Sequence, residues 1–221
     1  MCGITGFIQG RGVDGSELQR RCRVMADTIT HRGPDGEGVW VDPDAQIALG
    51  HRRLSIIDLS EAGSQPMVAA AGRYVVTFNG EIYNFERLRE SPKLQGYPFR
   101  GHSDTEVITA AVQELGPEAA IDLLEGMFAI AIWDRQEQAL WLARDRVGKK
   151  PLYYGWCGSS FLFGSELKAL RAHPEFVGEL DRDALGQYLQ YGWISQPLSI
   201  YSNVRKLPPG HRLRISRACP P

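Results

Sequence analysis

Apolar residues in this chain recur with two periods, and the period changes in blocks. Short apolar or alternating runs fall at residues 3–9, 38–41, 46–51, 54–57 and 74–78, with the length and pattern of strands. A helical block follows at 83–89, 104–115 and 117–124. Ser103 suits the N-cap of the second of these helices, with Glu106 three residues on to complete a capping box. Pro117 suits the first turn of the third. Strand patterns then return at 127–134 and 139–145, joined by a hairpin-length connection at 135–138, and at 152–156 and 160–164 with Gly158 in the turn. Helices are also expected at 16–29, where Leu18, Cys22, Met25, Ala26 and Ile29 share a face, and at 166–172 and 182–191. Strands, then helices, then strands again predict an α+β fold of antiparallel sheets covered by helices, not the alternation of a parallel sheet.

With 221 residues the chain can bury a substantial core. Its 25 basic and 26 acidic residues leave a net charge of −1, which makes no electrostatic case for nucleic acid or an anionic membrane. No apolar run approaches the ~20 residues of a membrane span. The opening MCGITGFIQG has no basic segment ahead of an apolar one, so it does not read as a secretory signal and the cytoplasm is the expected location. Four cysteines, Cys2, Cys22, Cys157 and Cys219, show no metal-ligand spacing. Cys22 and Cys157 read as packing residues, and Cys219 lies in a polar tail.

Cys2 differs by position. Removal of Met1 would place a thiol and a free α-amine on one residue. A thiolate is a nucleophile that needs a nearby base, and an α-amine, with a reference pKa of about 7.7–8.0, can take and return that proton. Taken alone, Cys2 also reads as a small residue before an apolar strand. Asn79-Gly80 reads alone as a strand-to-turn pair, Asp104 as a favourable helix start, and Gly33-Pro34-Asp35-Gly36 as a tight turn. Arg144-Asp145-Arg146 reads as an internal ion-pair network or a solvated face. No phosphate-binding or dinucleotide loop occurs.

Eight motifs occur in order: MCGITGF, HRGPDGEG, HRRLSIID, FNGEIYN, GHSDTEV, LEGMFAIAIWD, RDRVGKKPLYYG and SELKAL. Together they resemble the glutaminase domain of glutamine-hydrolysing asparagine synthetases, a class II amidotransferase of the N-terminal-nucleophile hydrolase type. The resemblance is dense from residue 2 to about 172 and looser through VRKLPPGHRL at 204–213. It implies a four-layer αββα sandwich of two antiparallel sheets, with the amidotransferase domain at 2–180 and a connecting segment at 181–221 toward a synthetase domain.

It also implies roles. Cys2 would attack the side-chain amide of L-glutamine. The Asn79 amide and the Gly80 N–H would form the oxyanion hole, where two fixed donors are worth several kcal/mol, and Gly80 would leave room for substrate to approach. Arg53 would grip the substrate carboxylate with its planar fork, aided by Leu54, Ser55, Ile56 and Ile57. Glu81 and Asp104 would meet the substrate ammonium. Arg52 would face the other side of its strand. No metal or cofactor is implied for glutamine hydrolysis; ATP and Mg²⁺ belong to the synthetase domain, whose Ser-Gly-Gly-x-Asp-Ser loop does not occur here. Aspartate is the usual acceptor of such ammonia, other acceptors stay open, and a homodimer is allowed. A catalytically silent glutamine-binding or assembly domain, and a peptidase on the same fold, are the competing readings. Arg53 with Asp104 argues for a free amino acid over a peptide.

Overall fold

The computed structural model describes residues 1–55 and 63–216. In chain order the strands are β1 (Gly3–Ile8), β2 (Gly36–Asp42), β3 (Ile47–Arg53), β4 (Met67–Val68), β5 (Tyr74–Ile82), β6 (Gly126–Asp134), β7 (Ala139–Arg144), β8 (Tyr153–Cys157), β9 (Ser160–Gly164), β10 (Val204–Lys206) and β11 (Arg212–Ser216). The α-helices are α1 (Gly15–Asp27), α2 (Phe85–Arg89), α3 (Asp104–Leu115), α4 (Pro117–Leu123), α5 (Leu167–Arg171) and α6 (Arg182–Tyr191). One antiparallel sheet has the order β10-β8-β9-β1-β3-β2 and the other β11-β7-β6-β5-β4.

Alternation along each strand builds the layers, because successive side chains point to opposite faces. Ile4 and Ile8 of β1, Ile47 and Leu49 of β3, Val75 of β5, and Ala129, Ala131 and Trp133 of β6 meet between the sheets. Phe7, Ala48 and Leu162 point outward instead, onto Leu18, Cys22 and Met25 of α1 and Leu170 of α5. On the second sheet Val76, Phe78 and Ile82 of β5 pack on Val107, Ile108 and Val112 of α3 and Ile121 of α4. The order of layers is therefore helix, sheet, sheet, helix, as expected. Helix α6 lies apart, with Ala184 its only buried residue and Tyr188, Leu189 and Tyr191 exposed.

Several local expectations need correction. β5 does not end at residue 78 but continues to Ile82, so Asn79 and Gly80 are strand residues rather than a turn. β3 ends at Arg53; Leu54 and Ser55 lie outside any strand, and residues 56 and 57 fall outside the described residues. α1 runs from Gly15 to Asp27 rather than 16–29, with Asp14 capping it by accepting from the Glu17 amide at 2.8 Å. Ser103 Oγ caps α3 at the Glu106 amide, 3.2 Å away, but the Glu106 carboxylate turns to the amides of Arg100 and Gly101, at 2.6 and 2.9 Å. The capping box is thus opened, and Glu106 orders the loop ahead of the helix. Within 181–221, Val204–Lys206 and Arg212–Ser216 each form an edge strand, one on β8 and one on β7.

Candidate active site

Cys2 immediately precedes β1, whose last pair with β3 is Gly3 opposite Arg52. The next residues along, Cys2 and Arg53, both line a cleft of about 140 Å³ with Leu54, Gln65, Asn79, Gly80, Glu81, Asp104 and Lys150. Strand parity explains the gathering. Arg53 shares the inner face of β3 with Leu49 and Ile47, while Arg52 falls on the outer face. There Arg52 pairs with Asp27 and with Glu37, the latter at 2.9 Å. Asn79 shares the inner face of β5 with Val75.

The Cys2 thiol lies against Leu54: the Leu54 amide donates to Sγ at 3.4 Å, and Sγ lies 3.6 Å from the Leu54 carbonyl. Ser55 is held differently, its amide donating to Asp35 Oδ2 at 2.9 Å, and it does not line the cleft. Ile56 and Ile57 lie outside the described residues. Of the other cysteines, Cys22 and Cys157 are buried, and burial pushes both thiols up, Cys157 to about 11. Cys219 lies outside the described residues.

One edge of β5 organises the opposite wall. In an antiparallel ladder the N–H and C=O of alternate residues face the same edge. β4 is only two residues long and pairs with Val75 and Val76, so beyond it the edge has no partner strand among the described residues. Side chains take over. The Phe78 amide donates to Gln65 Oε1 at 2.6 Å, and the Phe78 carbonyl lies 3.1 Å from His51 Nε2. The Ile82 amide donates to Asp104 Oδ2 at 3.1 Å. Between them the Gly80 N–H faces the same edge, into the cleft. Gly80 is required for a reason other than substrate access. A Cβ there would lie 2.1 Å from the Met127 carbonyl oxygen and 2.8 Å from the Phe128 Cα, so the pairing with β6 demands glycine.

Charge and polarity in the cleft are unusual. The Asn79 carboxamide is 1% exposed, and neither its oxygen nor its nitrogen has a hydrogen-bond partner among the described residues. Buried amides are seldom left so. Asp104 is 5% exposed, and burial, aided by the nearby charge of Glu81 and opposed by the Ile82 and Thr105 amides, raises its carboxyl to about 6. Burial also pushes His51 down to about 3, so its imidazole is neutral and Nε2 donates to the Phe78 carbonyl. Lys150 Nζ, whose pKa burial lowers, touches the Met1 thioether at 3.3 Å. Arg32 Nε donates to the Cys2 carbonyl at 2.9 Å.

His51, Gln65 and Lys150 were not singled out from the sequence. His51 and Lys150 lie within HRRLSIID and RDRVGKKPLYYG, whereas Gln65 carried no signal. Within Arg144-Asp145-Arg146 the first two residues form an internal brace, while Arg146 is exposed. Asp145 accepts from four amides, those of Phe128, Val147, Lys149 and Lys150, and Arg144 donates to the carbonyls of Lys150, Leu207 and Gly148. The brace delivers Lys150 to the cleft. Among the described residues no group of three His, Cys, Asp or Glu could hold a metal ion.

The glutamine amidotransferase domain family matches residues 1–219. The chain belongs to that family. Among its relatives, asparagine synthetase [glutamine-hydrolyzing] 3 of Bacillus subtilis is 40% identical over 220 residues, 98% of this chain and 35% of that protein. A putative asparagine synthetase [glutamine-hydrolyzing] 2 of Methanocaldococcus jannaschii is 37% identical, over 94% of this chain and 42% of its own length. This amidotransferase domain thus spans well under half the length of the curated relatives it matches. A solved allosteric regulatory enzyme of purine biosynthesis shares the fold, with a TM-score of 0.71 at 20% identity over 98% of this chain and 47% of that one.

Proposed function

We propose that this domain hydrolyses L-glutamine to L-glutamate and ammonia through a thioester on Cys2. The observation that carries the reading is the buried, unpartnered Asn79 carboxamide set in one cleft with Cys2, Arg53 and Asp104. Arg53 would take the substrate carboxylate, Asp104 and Glu81 the ammonium, and so hold the side-chain amide at Cys2; Leu54, which touches the thiol, would complete the wall. The thiol adds to the amide carbon and its proton passes to the α-amine exposed by loss of Met1. The oxyanion that forms is met by Asn79 Nδ2 and the Gly80 N–H. Collapse breaks the C–N bond, the amine returns the proton, and ammonia leaves. Water then attacks the thioester and releases glutamate, restoring the thiol. No metal or organic cofactor enters this sequence of steps.

The relatives' names and lengths support a further reading, that the ammonia feeds a synthetase domain which amidates a carboxylate, aspartate first, with ATP and Mg²⁺. The exposed Tyr188, Leu189, Tyr191 and Trp193 are apolar surface that such a domain would cover. No helix among the described residues is long and apolar enough to cross a membrane.

A glutamine analogue with an electrophile at the side-chain carbonyl tests the core of the proposal. Brief treatment followed by peptide mapping should give one adduct, on Cys2, suppressed by excess glutamine, and Cys2→Ala should release no ammonia. Glutamine-protected labelling of another cysteine, or an active Cys2→Ala, would overturn it.

A further inference from the structure

The proposed nucleophile sits on the second residue of the chain, where a terminus is poorly ordered unless tied down. Ser165 and Glu166 supply two ties side by side. The Ile4 amide donates to Ser165 Oγ at 3.0 Å, and the Ser165 amide donates to the Ile4 carbonyl at 2.9 Å. Glu166 acts two residues further toward the terminus, and through another side chain. Its Oε1 accepts from Arg32 Nη1 at 3.0 Å, while Arg32 Nε donates to the Cys2 carbonyl at 2.9 Å. The Arg32 side chain is 9% exposed, so its direction is set by these partners rather than by solvent. Gly3 makes the approach feasible: a Cβ there would lie 2.8 Å from Ile29 Cδ1 and 3.2 Å from Arg32 Cδ.

Two other side chains share the carboxylate without reaching Cys2. His31 Nε2 lies 2.9 Å from Oε1, and Lys168 Nζ lies 3.3 Å from Oε2. Burial opposes ionisation of Glu166, but the hydrogen bonds from Arg32, His31 and Lys168 outweigh it and hold the carboxyl below its ordinary range. The group is therefore an anion at neutral pH.

We propose that Glu166 is a positioning residue of the site, aiming the Arg32 guanidinium at the Cys2 carbonyl and so fixing the backbone that carries the thiol and the α-amine. The inference rests on Cys2 being the nucleophile. A displaced nucleophile loses rate rather than substrate affinity, because Arg53 and Asp104 still grip the amino-acid end.

Steady-state glutaminase kinetics on purified protein separate the possibilities. Glu166→Ala should lower kcat on the order of tenfold or more, since a misplaced reacting group is costly in rate, with KM for glutamine within about twofold. Glu166→Gln, which keeps an acceptor for Arg32, should recover part of the loss. His31→Ala and Lys168→Ala should stay close to wild type. The double variant Arg32→Ala/Glu166→Ala should be no slower than Arg32→Ala alone, the signature of one shared action. Wild-type kcat in Glu166→Ala, equal losses in the His31 and Lys168 variants, or additive losses in the double variant would overturn the proposal. If Glu166→Ala does not fold, the same cycle run with Glu166→Gln decides it. Cys2→Ala separates the two readings: activity there defeats the nucleophile assignment, whereas an inert Cys2→Ala beside a fully active Glu166→Ala defeats this inference alone.

Discussion

Two adjacent arginines with opposite surroundings show how much one residue of parity decides. Arg53 faces the cleft and Arg52 faces Asp27 and Glu37 on the outside. If Arg53 binds the substrate carboxylate, Arg53→Lys gives up a two-pronged, charge-assisted contact worth about 1.5–3 kcal/mol. The expected loss in kcat/KM for glutamine is roughly ten- to hundredfold. Arg52→Lys should leave kcat/KM near wild type and lower Tm, because its partners belong to α1 and β2. Comparable losses of kcat/KM would mean that the cleft-facing arginine was misassigned.

Asp104 carries a second expectation at this scale. Its carboxyl titrates near 6 in the free protein, well above the ordinary aspartate value of 3.8. If Asp104 meets the substrate ammonium it must do so in its charged form, so kcat/KM should fall as pH drops through about 6. The stability consequence has the opposite sense. A raised folded pKa means the folded protein holds its proton more tightly than the unfolded chain, so the group's stabilisation is complete below 3.8 and is lost as pH rises through about 6. At pH 7.5, Asp104→Asn should therefore raise Tm while lowering kcat/KM. Thermal melts and kinetics on the same preparation check both signs, and a lowered Tm would refute the argument.

Among the elements, β5 matters most. Its first half was legible from alternation at 74–78, but the pair Asn79-Gly80 mimics a turn, and only pairing with β6 shows that the strand continues. Register pairs Gly80 with Phe128, and the space that a Cβ would need is filled by the Met127 and Phe128 backbone as well as by the Phe78 ring. Gly80→Ala should therefore cost stability even without substrate, by about 1–3 kcal/mol for overpacking, or several degrees of Tm for a domain of this size. An unchanged melting curve would show that the β5–β6 pairing can yield. The helices read more easily: α3 and α6 start and stop where caps and periodicity put them. The strands β10 and β11 did not show, because each is a short edge strand whose partner lies more than forty residues away in sequence.

At the scale of the whole molecule, the sequence by itself determined the class of fold, most of its elements and, among the residues that line the cleft, Cys2, Arg53, Leu54, Asn79, Gly80, Glu81 and Asp104. Those follow from local rules: the period of apolar residues, caps, and an ordered series of motifs spanning the domain. It also separated Cys2 from Cys22 and Cys157, since the latter pair sit in apolar patterns and prove to be buried. Only the tertiary structure decided how the site is held. That β4 stops short and leaves the β5 edge to Gln65, His51 and Asp104 depends on where a two-residue strand ends. That Glu166 reaches Cys2 through Arg32 joins residues more than 130 positions apart. Local spacing carries no information about such contacts, because they arise where two sheets and their covering helices close on one another, and a hydrogen bond there is set by position in space rather than by distance along the chain.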